Sequence, residues 1–234
     1  MASSPTASLP TPSLRRIRNA LLLLLTLTAG ATDATAFLRL GHVFASVITG
    51  NLVVLGLSAA RADGHLALFA GCALGGYAVG VAFAAPRRRE GSGKEPIWPP
   101  GTTLALSAEL VLLVAFTVVW EIDGQAPARA VQIAMLVLCA AAMGIQSTAV
   151  RRIGQVSTTY LTSTLTGLLE AAVARRWGQT ESRSIAILVA LACGAAVAAI
   201  LISHARSWSP AVQLLPLVIV VVTSLRLVRR PAGS

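Results

Sequence analysis

The chain has 234 residues, of which 55% are hydrophobic and 12% are charged, and its formal net charge is +10. Soluble domains carry about 25% charged residues, so this composition excludes an ordinary water-soluble globular protein. The basic residues form short clusters at the ends of apolar tracts, which argues against the continuous basic face of a nucleic-acid-binding protein.

The N-terminal region predicts a tail followed by a first membrane span. Residues 1–13 are rich in Ser, Pro and Thr and predict a disordered tail. Arg15, Arg16 and Arg18 precede the apolar run Ala20–Leu27, which is also the layout of a secretory signal peptide. We favour an uncleaved first span, because seven more apolar tracts follow and the small-residue stretch after the run contains Asp33.

Eight apolar tracts follow one another along the chain, and two of them differ from the rest. The tracts cover residues 20–38, 44–60, 66–85, 102–120, 130–150, 156–174, 184–203 and 211–228. Tracts 44–60 and 156–174 carry Ser, Thr and Asn where a lipid-facing helix would carry Leu. We interpret these two as re-entrant or interrupted segments, with full spans as the alternative.

The two halves of the chain resemble each other. A shift of 113 residues aligns Arg39-Leu-Gly with Arg152-Ile-Gly and Thr49-Gly-Asn-Leu with Thr162-Ser-Thr-Leu, and seven of the twenty positions from 33 to 52 are identical. An internal repeat decides a fold, so we predict two membrane repeats, residues 14–124 and 125–230, with a short C-terminal tail at 231–234. Chance similarity of small apolar stretches is the alternative.

The distribution of Lys and Arg predicts the topology. If the two polar tracts are re-entrant and the N-terminus is cytoplasmic, fifteen basic residues lie inside and four outside, the latter being Arg39, Arg61, Arg129 and Arg206. Eight full spans would instead divide them eleven to eight. The six-span topology gives each repeat three crossings, so the second repeat is inverted, an arrangement that recurs in secondary transporters.

Small residues four apart predict close helix packing. Gly71 and Gly75, and then Gly76 and Gly80, form two GxxxG spacings in the third tract. We expect them to pack helices within one chain. A face for a homo-oligomer is the alternative.

Polar residues inside the tracts are the candidate site residues, because ionisable groups in a membrane are costly and face the protein interior or water. Asp33 and Glu109 are candidates for a proton relay. An interrupted helix leaves backbone groups that side chains, water or a ligand must satisfy. The predicted solute-binding residues are therefore Asp33, its repeat counterpart Gln146, and the triplets Thr49, Gly50, Asn51 and Thr162, Ser163, Thr164. For the triplets, hydrogen bonding that only fastens helices is the equal alternative.

No enzyme motif is present in the sequence. It contains no HExxH, GxSxG or P-loop, and Cys72, Cys139 and Cys193 lie in separate tracts without metal-ligand spacing. We expect no catalysis, no metal and no cofactor.

Two motifs resemble the YoaK family of bacterial inner-membrane proteins. Gly30-Ala-Thr-Asp33-Ala leads to Phe44 and Thr49-Gly-Asn51, and Met143-Gly-Ile-Gln146-Ser precedes Arg151-Arg-Ile-Gly154 and Thr158-Thr-Tyr-Leu-Thr162. The resemblance covers residues 20–230 and implies a multi-spanning inner-membrane protein without an agreed substrate. Where that family's pattern has Thr-Gly-Thr, this chain has Ser163 at the centre.

These observations predict an all-α integral membrane protein of six transmembrane helices and two polar re-entrant segments in two inverted repeats. We expect a multi-pass protein of the bacterial inner membrane with both termini cytoplasmic. The predicted function is a small-solute transporter or permease, with a coupling ion as a further candidate partner and the lipid bilayer as its surroundings. A non-transporting scaffold or partner subunit is the alternative.

Overall fold

The computed structural model describes residues 12–85, 98–123, 127–153, 161–176 and 178–229. Most of the predicted tail at 1–13, residues 86–97, the start of the second polar tract and the C-terminal tail lie outside these residues. All the regular elements in the described ranges are helices, so the predicted all-α class is confirmed.

Eight α-helices follow the apolar tracts in order. They are α1 (Pro12–Arg39), α2 (Ile48–Ala60), α3 (Gly64–Ala84), α4 (Pro100–Ile122), α5 (Arg129–Arg152), α6 (Leu161–Val173), α7 (Gln179–His204) and, after a short 3-10 turn at Arg206–Trp208, α8 (Ser209–Arg229). The first helix begins at Pro12, so it includes the last two residues of the predicted tail.

Helix length separates the two polar segments from the rest. Six helices in the described residues are long and apolar enough to cross a membrane: α1, α3, α4, α5, α7 and the segment Arg206–Val228 that contains α8. Helices α2 and α6 have 13 residues each. At 1.5 Å per residue each is about 20 Å long, which is shorter than the ~30 Å hydrocarbon core. The predicted number of long helices is therefore confirmed.

Local residues explain where several helices begin and end. Helix α1 ends at Arg39, and Gly41 just after it has a φ of +89° and lies where a Cβ would be 2.2 Å from the ring of Phe69. Only glycine fits such a position. The side chain of Asp63 accepts a hydrogen bond from the backbone N–H of Leu66 at 3.0 Å and so caps α3. Pro100 occupies the first turn of α4, where its missing N–H costs nothing.

Helices α1 and α5 form the centre of the bundle. In their most apolar 18-residue windows, 67% and 72% of the residues are buried, against 11% for α7. Helix α7 packs against α1, and α3 packs against α5. Helix α4 packs against α5, α8 packs against α1, and α4 and α8 also pack against each other. Helices α1 and α5 are therefore enclosed by protein, while much of α7 is left to face lipid.

Two helix crossings depend on glycines that bring backbones together. A Cβ on Gly30 would lie 2.1 Å from the carbonyl oxygen of Leu191, and a Cβ on Gly194 would lie 2.2 Å from that of Leu27, where α1 crosses α7. At the crossing of α5 and α3, Gly144 meets Tyr77 and Gly80 meets Ala141 in the same way, at 2.3 and 2.0 Å. Small residues permit such backbone contact where no hydrophobic effect drives helix association.

The two predicted GxxxG spacings of α3 face different surroundings. Gly76 and Gly80 pack on the α5 backbone, which agrees with the prediction of packing within one chain. Gly71 and Gly75 are exposed, with no atom within 4 Å of a Cβ built on either.

Trp120, near the C-terminal end of α4, and Arg206, just before α8, join these two helices. The Trp120 indole N–H donates to the carbonyl oxygen of Arg206 at 3.2 Å, and the Arg206 guanidinium donates to the carbonyl oxygen of Trp120 at 2.6 Å. The guanidinium also lies 4.6 Å from the indole centroid, a cation–π contact. The C-terminal end of α4 therefore meets the N-terminal end of α8, and the two helices run antiparallel.

Candidate functional site

Asp33 holds the irregular segment that connects α1 to α2. The backbone N–H groups of Ala45 and Ser46 donate to Oδ1 of Asp33 at 2.8 and 2.7 Å, and the Ser46 hydroxyl donates to Oδ2 at 2.5 Å. Asp33 is only 7% exposed. Hydrogen bonds to an ionised group are about twice as strong as neutral ones, so the carboxylate fixes this segment firmly.

These contacts place the connection well below the end of α1. Asp33 lies six residues before Arg39, the last residue of α1, so it is about 9 Å along the helix from that end. Residues 40–47 therefore turn back along α1 before α2 begins at Ile48. This is the geometry expected of a re-entrant segment.

Asn51 fixes the same connection from the side of α2. Its Oδ1 accepts a hydrogen bond from the backbone N–H of Phe44 at 2.9 Å, and its Nδ2 donates to the carbonyl oxygen of Phe44 at 2.6 Å. The side chain is fully buried. Both backbone groups of Phe44 are thereby satisfied by one amide, as irregular buried backbone requires.

The three residues of the first predicted triplet, Thr49, Gly50 and Asn51, lie in different surroundings. Asn51 faces inward and bonds Phe44, Thr49 is exposed, and Gly50 is partly buried beside the side chains of Phe44 and Val47. Of the three, Thr49 has the hydroxyl group that is open to its surroundings.

Gln146 lies in the buried stretch of α5 and bonds α1. Its Nε2 donates to the carbonyl oxygen of Leu25 at 2.7 Å. Leu25 lies eight residues before Asp33, which corresponds to about 12 Å of helix. The structure therefore does not bring Asp33 and Gln146 together as two facing walls. Asp33 bonds the connection after α1, and Gln146 bonds the backbone of α1 at Leu25, at a different depth along that helix.

The second triplet lies at the start of α6. Thr162 and Ser163 are exposed and Thr164 is partly buried. Residues 154–160, which correspond to the connection held by Asp33 in the first half, lie outside the described residues. Helix α6 packs on α7, as α2 packs on α3.

Glu109 is fully buried on α4. Neither of its carboxyl oxygens has a hydrogen-bond partner in the described part of the chain. Its position is consistent with a candidate proton relay but is on a different helix from the Asp33 contacts.

A buried network that sequence reasoning missed joins α1 to α8 through Gln213. The Thr28 hydroxyl donates to the backbone carbonyl oxygen of Gln213 at 3.2 Å. The side-chain Nε2 of Gln213 donates to the Thr35 hydroxyl at 2.9 Å. The available signal was the single Gln near the start of the last tract, among apolar residues. Ser46 was also missed, although it is one of the few hydroxyls near Thr49.

An open cavity of about 470 Å³ lies where α1 and α7 end. It is lined by Leu38, Arg39, Ile202, Ser203, His204 and Arg206. Two guanidinium groups and an imidazole make its lining polar and basic. It lies at the end of α1 that contains the Asp33 contacts.

The described residues contain no group of side chains that could bind a metal ion. No three His, Cys, Asp or Glu side chains there are grouped closely enough to hold an ion. The three cysteines are unbridged thiols.

Comparisons with known proteins agree on a membrane family. The profile of the family described as protein of unknown function (DUF1275) matches residues 21–223. The UPF0700 transmembrane protein YoaK of Bacillus subtilis (strain 168) is 37% identical over 155 residues, which cover 65% of this chain and 66% of that protein. The match thus spans slightly less than two thirds of the relative's length. No solved structure matches the chain.

Proposed function

The chain belongs to the DUF1275 family, and from its own residues we propose that it is a small-solute transporter or permease whose site lies between two inverted repeats. The resemblance to YoaK and the six long apolar helices make it a multi-pass membrane protein. Beyond that, we propose that the protein binds a small solute at this site and lies in the bacterial inner membrane with both termini cytoplasmic.

The observation that carries this proposal is the irregular backbone that Asp33 holds against α1, six residues before the end of that helix. Non-helical backbone at membrane depth is tolerated only where it is buried in protein or lines a water-filled cavity. Broken helices of this kind form substrate and ion sites in many secondary transporters, where they lie at the interface of two repeats.

The pairing of the helices supports the repeat. A shift of 114 residues, one more than the shift that aligns the motifs, relates the two glycine crossings. It converts the pair Gly30–Leu191 into Gly144–Tyr77, because Gly30 becomes Gly144 and Tyr77 becomes Leu191. It likewise relates the pair Leu27–Gly194 to Ala141–Gly80. The crossing of α1 with α7 thus corresponds, contact by contact, to the crossing of α5 with α3. This exchange is what a pseudo-twofold relationship between the halves would produce.

The side-chain roles in the proposed site follow from burial. Asp33 and Asn51 hold the first re-entrant segment in place, and Gln146 ties the central helices together. The exposed hydroxyls of Thr49 and Thr162 and the backbone at Gly50 are then the groups available to a solute. Glu109 and Asp33 are the carboxyl groups that could exchange a coupling proton.

The scaffold alternative is supported by a specific observation. The hydrogen bonds of Asp33, Asn51 and Gln146 all go to the protein's own backbone or to Ser46, as expected of residues that only fasten helices. We expect no catalysis under either function.

Thiol accessibility distinguishes the two functions. Thr49→Cys and Thr162→Cys would be made in a variant with Cys72, Cys139 and Cys193 replaced by Ala, and treated in vesicles with a membrane-impermeant maleimide. A transporter of this architecture predicts labelling of the thiol at position 49 from the outer side and of the thiol at position 162 from the inner side. Gly71→Cys, on the lipid face, is the unlabelled control. Absence of labelling at both positions would support the scaffold.

Solute movement is the direct test of the proposed activity. Purified protein in liposomes would be screened for uptake of neutral, anionic and cationic small solutes, with Asp33→Asn compared with Asp63→Asn. Asp63 is an exposed carboxylate that caps α3, so its substitution controls for loss of charge. We expect uptake to fall in Asp33→Asn and to persist in Asp63→Asn. Equal uptake by both variants would remove Asp33 from the mechanism.

A further inference from the structure

Four buried side chains on α4 and α8 have polar atoms without partners. These atoms are Thr102 Oγ1, both carboxyl oxygens of Glu109, Ser209 Oγ and Gln213 Oε1, each without a hydrogen-bond partner in the described ranges. All four residues are at most 1% exposed. Buried polar groups in native proteins are nearly always satisfied by protein or ordered water, so this concentration on two packed helices needs an explanation.

Helix periodicity places Thr102 and Glu109 on the side of α4 that meets α8. Trp120 contacts Arg206 just before α8 begins. Glu109 and Thr102 precede Trp120 by 11 and 18 residues, which is close to three and five full turns of about 3.6 residues. The three side chains therefore lie along one line of the helix.

The same contact gives the depth of each unpaired group. Because the helices are antiparallel and rise about 1.5 Å per residue, Ser209 and Gln213 lie about 5 and 10 Å below the Trp120–Arg206 contact, and Glu109 and Thr102 lie about 17 and 27 Å below it. The unpaired atoms are thus distributed from one end of the α4–α8 interface to the other. Glu109 is near the middle.

The charge state of Glu109 follows from its surroundings. An ionised carboxylate taken out of water without a partner is very unfavourable, so such a group is neutralised instead. Elsewhere on the inner faces of α5 and α8 the titratable side chain at comparable depth is the Cys139 thiol. On α5, α8 and the turn before α8, the charged residues lie toward the helix ends and are Arg129, Arg151, Arg152, Arg206, Arg226 and Arg229.

We propose that the α4–α8 interface is a hydrated polar column and that Glu109, at its centre, is a proton-binding site. The hydroxyls of Thr102 and Ser209 and the amide oxygen of Gln213 supply the partners that bridging water requires. In this column Glu109 would carry the proton as a carboxylic acid. The column deepens the coupling-proton role proposed for Glu109 and rests on it, but its test needs no solute, so its failure is distinguishable from failure of the solute site.

Infrared spectroscopy of the protein in phosphatidylcholine vesicles tests the proposal without a known solute. We expect a carbonyl stretch from a protonated carboxylic acid that is absent from Glu109→Gln and present in Glu121→Gln. Glu121 is an exposed acid on the same helix and gives a matched control. Transfer to D₂O should shift this band, because water in the column exchanges the proton.

Two results would overturn the proposal. A spectrum in which Glu109→Gln removes no protonated-acid band shows that Glu109 is ionised, and a band that stays unshifted in D₂O shows that the interface is dry. Loss of the band on adding Na⁺ at constant pH would assign the site to a metal cation instead.

A second variant separates hydration from folding. Ser209→Ala removes one polar group of the column while leaving Glu109 unchanged, and it breaks no hydrogen bond of the Ser209 hydroxyl in the described ranges. We expect the D₂O shift of the Glu109 band to become slower. Thr117→Val, at a partly buried hydroxyl of α4 that bonds its own helix, is the control and should leave the exchange rate unchanged. Equal exchange in Ser209→Ala and wild-type protein would contradict the column.

Discussion

The carboxylate of Asp33 accepts hydrogen bonds from both the backbone N–H and the hydroxyl of Ser46, at 2.7 and 2.5 Å. Thirteen residues separate the two along the chain, and a complete helix end and a reversal lie between them. This contact holds the connection between α1 and α2 against the side of α1.

Removing the Asp33 carboxylate should destabilise the protein strongly. Asp33→Ala leaves the N–H groups of Ala45 and Ser46 and the Ser46 hydroxyl without an acceptor, and each unsatisfied buried donor costs about 1–3 kcal/mol. We expect a loss of roughly 3 kcal/mol or more in the free energy of unfolding, measured by denaturation in detergent micelles. Asp63→Ala, which removes an exposed helix cap, should cost about 1 kcal/mol. Similar losses in both variants would show that Asp33 does not hold the segment.

Substitution of Asn51 should loosen the same segment from the other side. Asn51→Leu keeps the side-chain size but removes both hydrogen bonds to Phe44, so we expect faster proteolysis of the 40–47 connection and a loss of about 2 kcal/mol. The measurement is limited proteolysis in micelles, with the exposed Thr49→Val as control. An unchanged cleavage rate in Asn51→Leu would be inconsistent with this role.

The glycine crossings predict a pattern of tolerance to alanine. Gly30→Ala, Gly80→Ala, Gly144→Ala and Gly194→Ala each place a methyl group about 2 Å from a backbone oxygen, so we expect losses of about 1–3 kcal/mol from overpacking. Gly71→Ala and Gly75→Ala meet no atom and should be neutral or slightly stabilising, because alanine favours helix. Thermal unfolding of the six variants checks this, and comparable losses at Gly71 and Gly80 would contradict the assigned packing.

The topology can be checked with single cysteines on either side of α2. If α2 is re-entrant, Cys introduced for His42 and for Arg61 should both react with an impermeant maleimide added to the outer side, since both positions are exposed. Arg151→Cys should react only from the inner side. Labelling of positions 42 and 61 from opposite sides would show that α2 traverses the membrane.

Several parts of the fold were accessible from the amino-acid sequence because they depend on local properties. Span length and hydropathy predicted six long helices, and the excess of Ser, Thr and Asn marked the two segments that form the short helices α2 and α6. The cost of burying an acid in a membrane singled out Asp33 and Glu109. Each of these predictions needs only a window of about one helix.

The partners of these residues came only from the tertiary structure. Asp33 was predicted to share a site with Gln146, whereas its hydrogen bonds go to Ala45 and Ser46 and Gln146 bonds Leu25. Gln213 joins α1 and α8 without any sequence motif. Such pairings depend on the rotation and depth of whole helices, which no local window contains.

Hydropathy determined that this chain crosses a membrane and roughly where, because each helix satisfies its own backbone and its apolar length must match the bilayer. Which side of a helix faces protein was decided by packing alone. Gly75 faces outward and the adjacent Gly76 meets the α5 backbone, although both lie in the same small-residue pattern. Lipid tails and a protein interior are equally apolar, so in a membrane only the fit between surfaces distinguishes the two faces.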